Sequence, residues 1–325
     1  MLQCINKEWQ MYKKPLVGIS TCILGECVRY DGGHKLDRFI RDTLGEYVDF
    51  VPVCPEVDCG MSTPREAMRL VEIDGSIRLL TQKTKKDMTP KMLAWMDGKL
   101  ADLEKLPLCG FIFKSKSPSS GLFRVKVYKN DNPINKGRGI FAQGFTDKFP
   151  LLPVEEEGRL NDAKLRDNFI ERLFAMSRWH ELNSKEKSVA NLTCFHTQHK
   201  YSIMAHCPEA LKLLGGYIAK SKNEDINELY EKYFNEFITA MRNIATERKN
   251  TNTLEHIMGY LKNDLNKDEK SELKDIIDNY RNRLIPLIVP ITLLNHYVRK
   301  YKPEYLLQQY YLNPHPQELM LRNHV

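Results

Sequence analysis

Residues 48–60 read VDFVPVCPEVDCG: an apolar, β-branched run that stops at Cys54, Pro55 and Glu56 and is followed by Cys59 and Gly60. The run has the length and composition of a buried strand. Two thiols and a carboxylate crowd the strand's end. Working outward, KPLVGIST (14–21) and CGFIFK (109–114) are further short apolar runs, and FRVKVY (123–128) alternates like a half-exposed strand. Between them, DRFIRDTLGEY (37–47) carries Phe39, Ile40 and Leu44 at helical spacing. The stretch 86–106, KDMTPKMLAWMDGKLADLEKL, predicts a helix capped by Thr89 with Pro90 at its first position. This alternation predicts an α/β domain with a mostly parallel sheet and helices on both faces.

FPLLPVEEEGRLND (149–162) reads as the join to a different architecture. Beyond it glycine becomes scarce and long amphipathic patterns take over, as in NELYEKYFNEFITAMRNIA and DEKSELKDIIDNYRNRLI. The expected organisation is an α/β domain over residues 1–155 followed by an all-α domain over 156–325.

At 325 residues, with 42% hydrophobic and 28% charged side chains, the chain can bury two cores of ordinary size. The longest apolar candidate for a membrane span, IPLIVPITLL (285–294), is about half the roughly 20 residues required and holds two prolines. The N-terminal stretch has no apolar run of signal-peptide length, and a cytoplasmic protein without membrane association is expected. The eight cysteines then argue for metal or sulfur chemistry rather than a disulfide framework.

In an open parallel sheet, ligands bind outside the carboxyl ends of the strands. Those ends carry Ser20-Thr21-Cys22, Cys54-Pro55-Glu56 and the loop KSKSPSSG (114–121), so three distant segments should meet in one pocket. Cys109 starts its strand and belongs to the opposite edge, on the order of 15 Å away at ~3.3 Å per residue. Cys59 lies in the loop on the correct side, with Gly60 allowing a sharp bend, and Cys27 is a weaker candidate in the same region. Cys22, Cys54 and Cys59 are therefore the best three-thiol set, able to hold zinc or an iron–sulfur cluster. The alternative at each position is a small buried residue beside a turn. Glu56 is the candidate proton carrier; its other reading is a loop carboxylate paired with Arg65. Ser117, Ser119 and Ser120 form a turn that either cradles a ligand or serves conformation alone.

In the second half, His196 and His199 stand three residues apart and His206 seven further on, which leaves open a zinc site or a polar helix face. Arg29 near the DGG turn, Lys200, and Arg299 and Lys300 in the run HYVRKYK (296–302) are candidates for contact with nucleic acid.

Three of these stretches, STCILGECVRYDGG, VPVCPEVDCGMSTPREAMRL and GFIFKSKSPSSG, resemble the thiouracil desulfidase family (DUF523) over roughly residues 14–150. CFHTQHKYSIMAHCPEALKLLGGYIA (194–219) and residues 293–325 are similar to the YbgA-type helical domain (DUF1722), and the pairing resembles two-domain tRNA thiouridine desulfidases. The resemblance implies a [4Fe-4S] cluster held by three cysteines, with one iron open to the substrate's sulfur. It also implies hydrolytic replacement of sulfur by oxygen in thiolated uracil, 4-thiouridine in tRNA being the expected substrate. Glu56 would carry protons, assisted by Ser117 or Ser119, while the helical domain would help bind tRNA. The alternatives are an enzyme of free thiouracil with a scaffolding helical domain, or a non-enzymatic nucleic-acid-binding protein with a structural cysteine site. Members of the family commonly carry cysteine where this chain has Ser120. Cys59 is expected to take over as the third ligand, the alternatives being an incomplete cluster or an oxygen ligand from Ser120.

Overall fold

The computed structural model describes residues 13–129 and 131–324 and divides into two compact units, with the α/β unit spanning Lys13–Asp162. Residues 1–12, part of the first expected domain, lie outside the described residues. The apolar runs around the opening motif become β1 (Leu16–Ser20), β2 (Asp49–Val53) and β5 (Leu108–Phe113). With β8 (Val154–Glu156) they form an all-parallel sheet in the order β2-β1-β5-β8. β5 is buried along its whole length, as an uninterrupted apolar run in a covered parallel sheet requires. β2 tolerates Pro52 because it is an edge strand. Helices α2 (Thr89–Glu104) and α3 (Ile140–Lys148) cover one face, packing Met96, Leu100, Phe141 and Phe145 onto Phe111 and Phe113.

Several local expectations change. Thr89 does not cap α2; its Oγ1 instead accepts the backbone N–H of Leu79 (2.7 Å), and Met88 occupies the cap position. Residues 39–46 form a π turn followed by a 3₁₀ turn rather than a regular α-helix, with Gly45 inside the 3₁₀ turn. FRVKVY does not join the parallel sheet. Its strand, β6 (Val125–Lys129), sits in a second sheet of order β4-β3-β6-β7. That sheet combines the hairpins β3 (Met68–Ile73)/β4 (Ser76–Thr81) and β6/β7 (Asn132–Gly137).

The glutamate run 155–157 reads locally as a linker but is structural. Glu155 and Glu156 are buried in β8, which straddles the expected division after residue 155. Glu156 Oε1 accepts the backbone N–H groups of Leu122 (2.8 Å) and Phe123 (3.0 Å). Glu157 accepts from Ser115 N (2.7 Å) and pairs with Lys114. Charged residues can be buried when each carboxylate is so satisfied.

The second unit is built of helices, from α4 (Ala163–Asn183) through α5 (Val189–His206), α6 (Pro208–Lys220), α7 (Ile226–Met241), α8 (Glu247–Tyr260), α9 (Lys267–Arg281) and α10 (Ile288–Tyr301). The apolar faces of α5, α8, α9 and α10 share a core built around Leu254, Leu273, Ile277 and Leu294, closed by Tyr311 of the C-terminal segment. A buried polar group crosses this unit: Glu171 on α4 faces His206 Nε2 (3.4 Å) and Arg322 Nη2 (3.3 Å). Among the described residues, no helix is long and apolar enough to cross a membrane.

Candidate active site

The strand order 2-1-5 turns direction at β1, so the crevice rule points to the carboxyl ends of β1, β2 and β5. The loops leaving those ends meet there. Ser20 Oγ, at the end of β1, accepts Lys114 N from the end of β5 (2.9 Å). Past β2, Cys54 precedes the single turn α1 (Pro55–Asp58), which carries Glu56. Ser119 Oγ, from the serine loop after β5, donates to Glu56 Oε1 (2.7 Å).

The polarity of this network can be worked out. Ser117 Oγ accepts the backbone N–H groups of Ser119 (3.3 Å) and Ser120 (3.1 Å) and lies 3.0 Å from Ser119 Oγ. Because the Ser119 hydroxyl proton is committed to Glu56, Ser117 donates to Ser119, and the relay runs Ser117 to Ser119 to Glu56. Arg65 holds the other carboxylate oxygen: Nε donates to Oε2 (2.8 Å), and Nη2 contacts the same atom. Arg65 also donates to Val28 O (3.0 Å), tying in the loop after β1. The carboxylate thus has both readings at once, paired with Arg65 and aimed at the serines.

The serine loop is held from behind by α3. Phe141 N donates to Ser119 O (2.9 Å), Ile140 N to Pro118 O (3.2 Å) and Gly139 N to Gly121 O (2.7 Å). Those N–H groups open a helix and would otherwise lack partners. Gly139 allows the approach: a Cβ there would stand 2.5 Å from Ser119 C and O.

Burial pushes the Cys22 thiol up to about 11, with nearby Lys114 and Arg29 opposing and Cys54 reinforcing. Burial likewise raises Cys54, against a Val57 backbone hydrogen bond, and Cys59, against Lys91. A nucleophilic cysteine needs the reverse shift, so a thiolate nucleophile with its base is disfavoured. A metal centre displaces the thiol proton itself and remains compatible.

The donor chemistry fits an iron–sulfur cluster at two positions. Cys22 and Cys54 follow neighbouring strands and interact electrostatically; Cys54 Sγ lies 3.9 Å from Val28 O. Cys59 is on the same side but turned away: its Sγ points to Glu56 O (3.3 Å), and it packs with Met68, Leu70, Met88 and Met92. Gly60 supplies the expected bend at φ +85°. Among the described residues, no three His, Cys, Asp or Glu side chains converge as they would on a single metal ion. Ser120 is buried. Cys109 is buried at the start of β5 with Sγ near Pro107 O (3.6 Å), at the far edge. Cys27 is exposed.

The histidines of the helical unit do not form a zinc site. His196 Nδ1 meets Tyr233 Oη (3.0 Å), His199 Nδ1 meets Phe195 O (2.8 Å), and His206 Nδ1 meets Asn243 O (2.5 Å). Burial lowers His199 to about 3 and His196 to about 4, so the buried His199 ring and the half-buried His196 ring are both neutral. Of the expected nucleic-acid contacts, Lys300 is engaged, its Nζ donating to Glu269 Oε1 (2.6 Å). Lys200 and Arg299 are exposed on α5 and α10, and Arg29 lies 3.4 Å from Asp31. Sequence reasoning missed the part played by Lys114, Glu156 and Glu157 in shaping the serine loop. A charged triplet following the apolar PLLPV was the available signal.

Comparison with known proteins agrees with this division. Residues 17–157 match the family model for 2-thiouracil desulfurase, and residues 200–316 match that for the protein of unknown function DUF1722. The uncharacterized protein YbgA of Escherichia coli (strain K12) is 26% identical over 165 residues, covering 50% of this chain and 98% of that protein. The uncharacterized protein YbbK of Bacillus subtilis (strain 168) is 29% identical over 156 residues, covering 45% of this chain and 99% of that protein. Among solved structures, the [4Fe-4S]-dependent thiouracil desulfidase TudS is 24% identical, covers 47% of this chain and 97% of its own, and superposes with a TM-score of 0.39. The chain joins a domain of the 2-thiouracil desulfurase family to a domain of the DUF1722 family.

Proposed function

We propose that the α/β unit is a desulfidase that replaces the sulfur of a thiolated uracil with oxygen, acting on 4-thiouridine in tRNA. The observation that carries this reading is the Ser117–Ser119–Glu56–Arg65 relay beside Cys22 and Cys54, at the sheet's switch point in a desulfurase-family domain. The net reaction is C=S plus water giving C=O plus hydrogen sulfide, with no change in the oxidation state of carbon. Cys22 and Cys54 would hold a [4Fe-4S] cluster, with Cys59 as the third ligand once its thiol turns from the Glu56 carbonyl toward them. When bound, such a cluster supplies a soft Lewis acid for the substrate's sulfur.

The chain's own groups handle the protons. Glu56 Oε1 takes a proton from the water that adds to the thiocarbonyl carbon, and Arg65 keeps that carboxylate from rotating away. Ser119, donating to the same oxygen, orients it; once Glu56 holds the water's proton the hydroxyls reverse, Glu56 donating to Ser119, Ser119 to Ser117 and Ser117 to the departing sulfide, and the second proton follows from the added hydroxyl as the carbonyl forms. The thiols, raised by burial, are ligands in this scheme and not nucleophiles. A cytoplasmic location and the helical unit's contribution to tRNA binding belong to the same proposal.

The test is anaerobic reconstitution with iron and sulfide, followed by sulfide release from thiolated tRNA and from free 4-thiouracil. Release from tRNA at higher kcat/KM supports the reading. Release from the free base alone supports an enzyme of thiouracil. Release from neither sinks it.

A further inference from the structure

Next to the serine loop, on the far side of Gly139, lies an open cleft of about 650 Å³ to which the desulfidase chemistry assigns no role. Its apolar lining includes Leu93 and Met96 of α2 and Phe123, and its cations are Arg124, Lys136 and Arg138, with Arg159 beside Phe123. The only acidic lining residue, Asp147, is held by the Gln143 side-chain amide (2.7 Å). Arg138 donates to a neutral partner, Thr146 Oγ1 (3.1 Å), and Arg124 is exposed. The charge is concentrated in sequence as well. From 114 to 138 the chain reads KSKSPSSGLFRVKVYKNDNPINKGR, with Asp131 its sole acid, and Asp131 is itself paired with Arg69.

We propose that this cleft seats the phosphate backbone of the RNA substrate, its exposed apolar floor receiving a base that flanks the modified nucleotide. The proposal rests on the tRNA reading and extends it to residues outside the reacting centre. Three features carry it. The cations come from the residue before β6, from β7 and from the turn before α3, and the register that pairs Val125 with Gly137 brings Arg124 and Arg138 to one end of that ladder, a concentration of positive charge suited to a polyanion. Leu93, 41% exposed, and Phe123 offer the apolar surface on which bases stack in sequence-tolerant fashion. The cleft also shares a wall with the catalytic loop: Leu122 to Arg124 continue directly from Gly121, and Gly139 and Ile140 abut the loop at Ser119 and Pro118.

The test uses the full chain, a fluorescein-labelled unmodified tRNA transcript and uridine 5′-monophosphate as competitor. The expected result for Arg124→Ala/Arg138→Ala is tRNA binding about tenfold weaker, with the slope of log K against log salt reduced by about 1.4 to 1.8. Arg124→Lys/Arg138→Lys retains that slope. Unchanged affinity and slope in the alanine variant overturn the proposal. So does displacement of the tRNA by the mononucleotide at equal affinity, which would make the cleft a nucleotide site. Sulfide release from free 4-thiouracil by the same variants is expected to match that of the unaltered protein. Absence of sulfide release from both thiolated tRNA and free 4-thiouracil in the unaltered protein rejects the desulfidase reading without touching the binding result. The two failures are therefore distinct.

Discussion

Glu56→Gln removes the proposed proton acceptor while keeping the side chain's shape. Both partners of the ion pair are shielded, with side-chain exposures of 13% for Glu56 and 7% for Arg65. Breaking a buried pair by neutralising one member costs about 3–5 kcal/mol when the other is stranded. Arg65 is not stranded, because Val28 O, Ser62 O and Thr63 Oγ1 remain within 3.0 to 3.3 Å. The cost should therefore fall to about 2 kcal/mol, close to one charge-assisted hydrogen bond, and the protein should fold. Activity should suffer more. Losing a positioned general base costs about 10²–10⁴-fold in kcat, and the Ser119 hydroxyl would face an amide that cannot take its proton. The assay pairs urea denaturation with sulfide-release kinetics on the reconstituted protein. A kcat within threefold of the unaltered protein, in a variant with normal iron content, would refute the assignment of Glu56. Loss of folding would refute the argument that Arg65 keeps enough partners.

Cys59→Ala is expected to lower iron content and the absorbance near about 400 nm where iron–sulfur centres absorb; unchanged values after reconstitution would return Cys59 to the apolar cluster that surrounds it. Gly139→Ala drives a methyl against Ser119 C and O at 2.5 Å, so a loss of about 1–3 kcal/mol from overpacking and a fall in kcat are expected, checked by thermal melts and kinetics. In the helical unit, burial works to raise the Glu171 carboxyl, but His206 and Arg322 override it and hold the group well below its usual 4.5. A carboxylate depressed in the folded state contributes stability that is fully present above its unfolded pKa and lost as pH falls. Glu171→Gln should therefore destabilise the protein by about 3–5 kcal/mol at neutral pH. Its Tm deficit should narrow as the pH drops below about 4.5; a deficit that stays constant down to pH 3 would contradict this.

The meeting of the three loops was legible because parallel strand polarity is set by chain order. Once the runs around Ser20, Val53 and Phe113 are strands of one sheet, their carboxyl ends share an edge whatever the loops do. The second sheet was less visible. Asp74-Gly75, both at positive φ, is the two-residue turn a hairpin needs, yet MRLVEI and SIRLLT mix charge and apolar residues too evenly to stand out. The role of Glu155 to Glu157 could not be read locally at all. Their partners are Arg159, Lys114 and the backbone N–H groups of Ser115, Leu122 and Phe123, most of them some forty residues away, about the reach of a βαβ crossover. The orientation of Cys59 was equally hidden, because spacing gives the side of a sheet and not the direction of a thiol.

The most direct test of the desulfidase account is the sulfide released per protein when the anaerobically iron-reconstituted chain meets excess 4-thiouracil or thiolated tRNA. Many sulfides per protein, abolished by Cys22→Ser or Cys54→Ser, is the predicted result. Less than one sulfide per protein on both substrates, from a chain carrying its full iron complement, would contradict it.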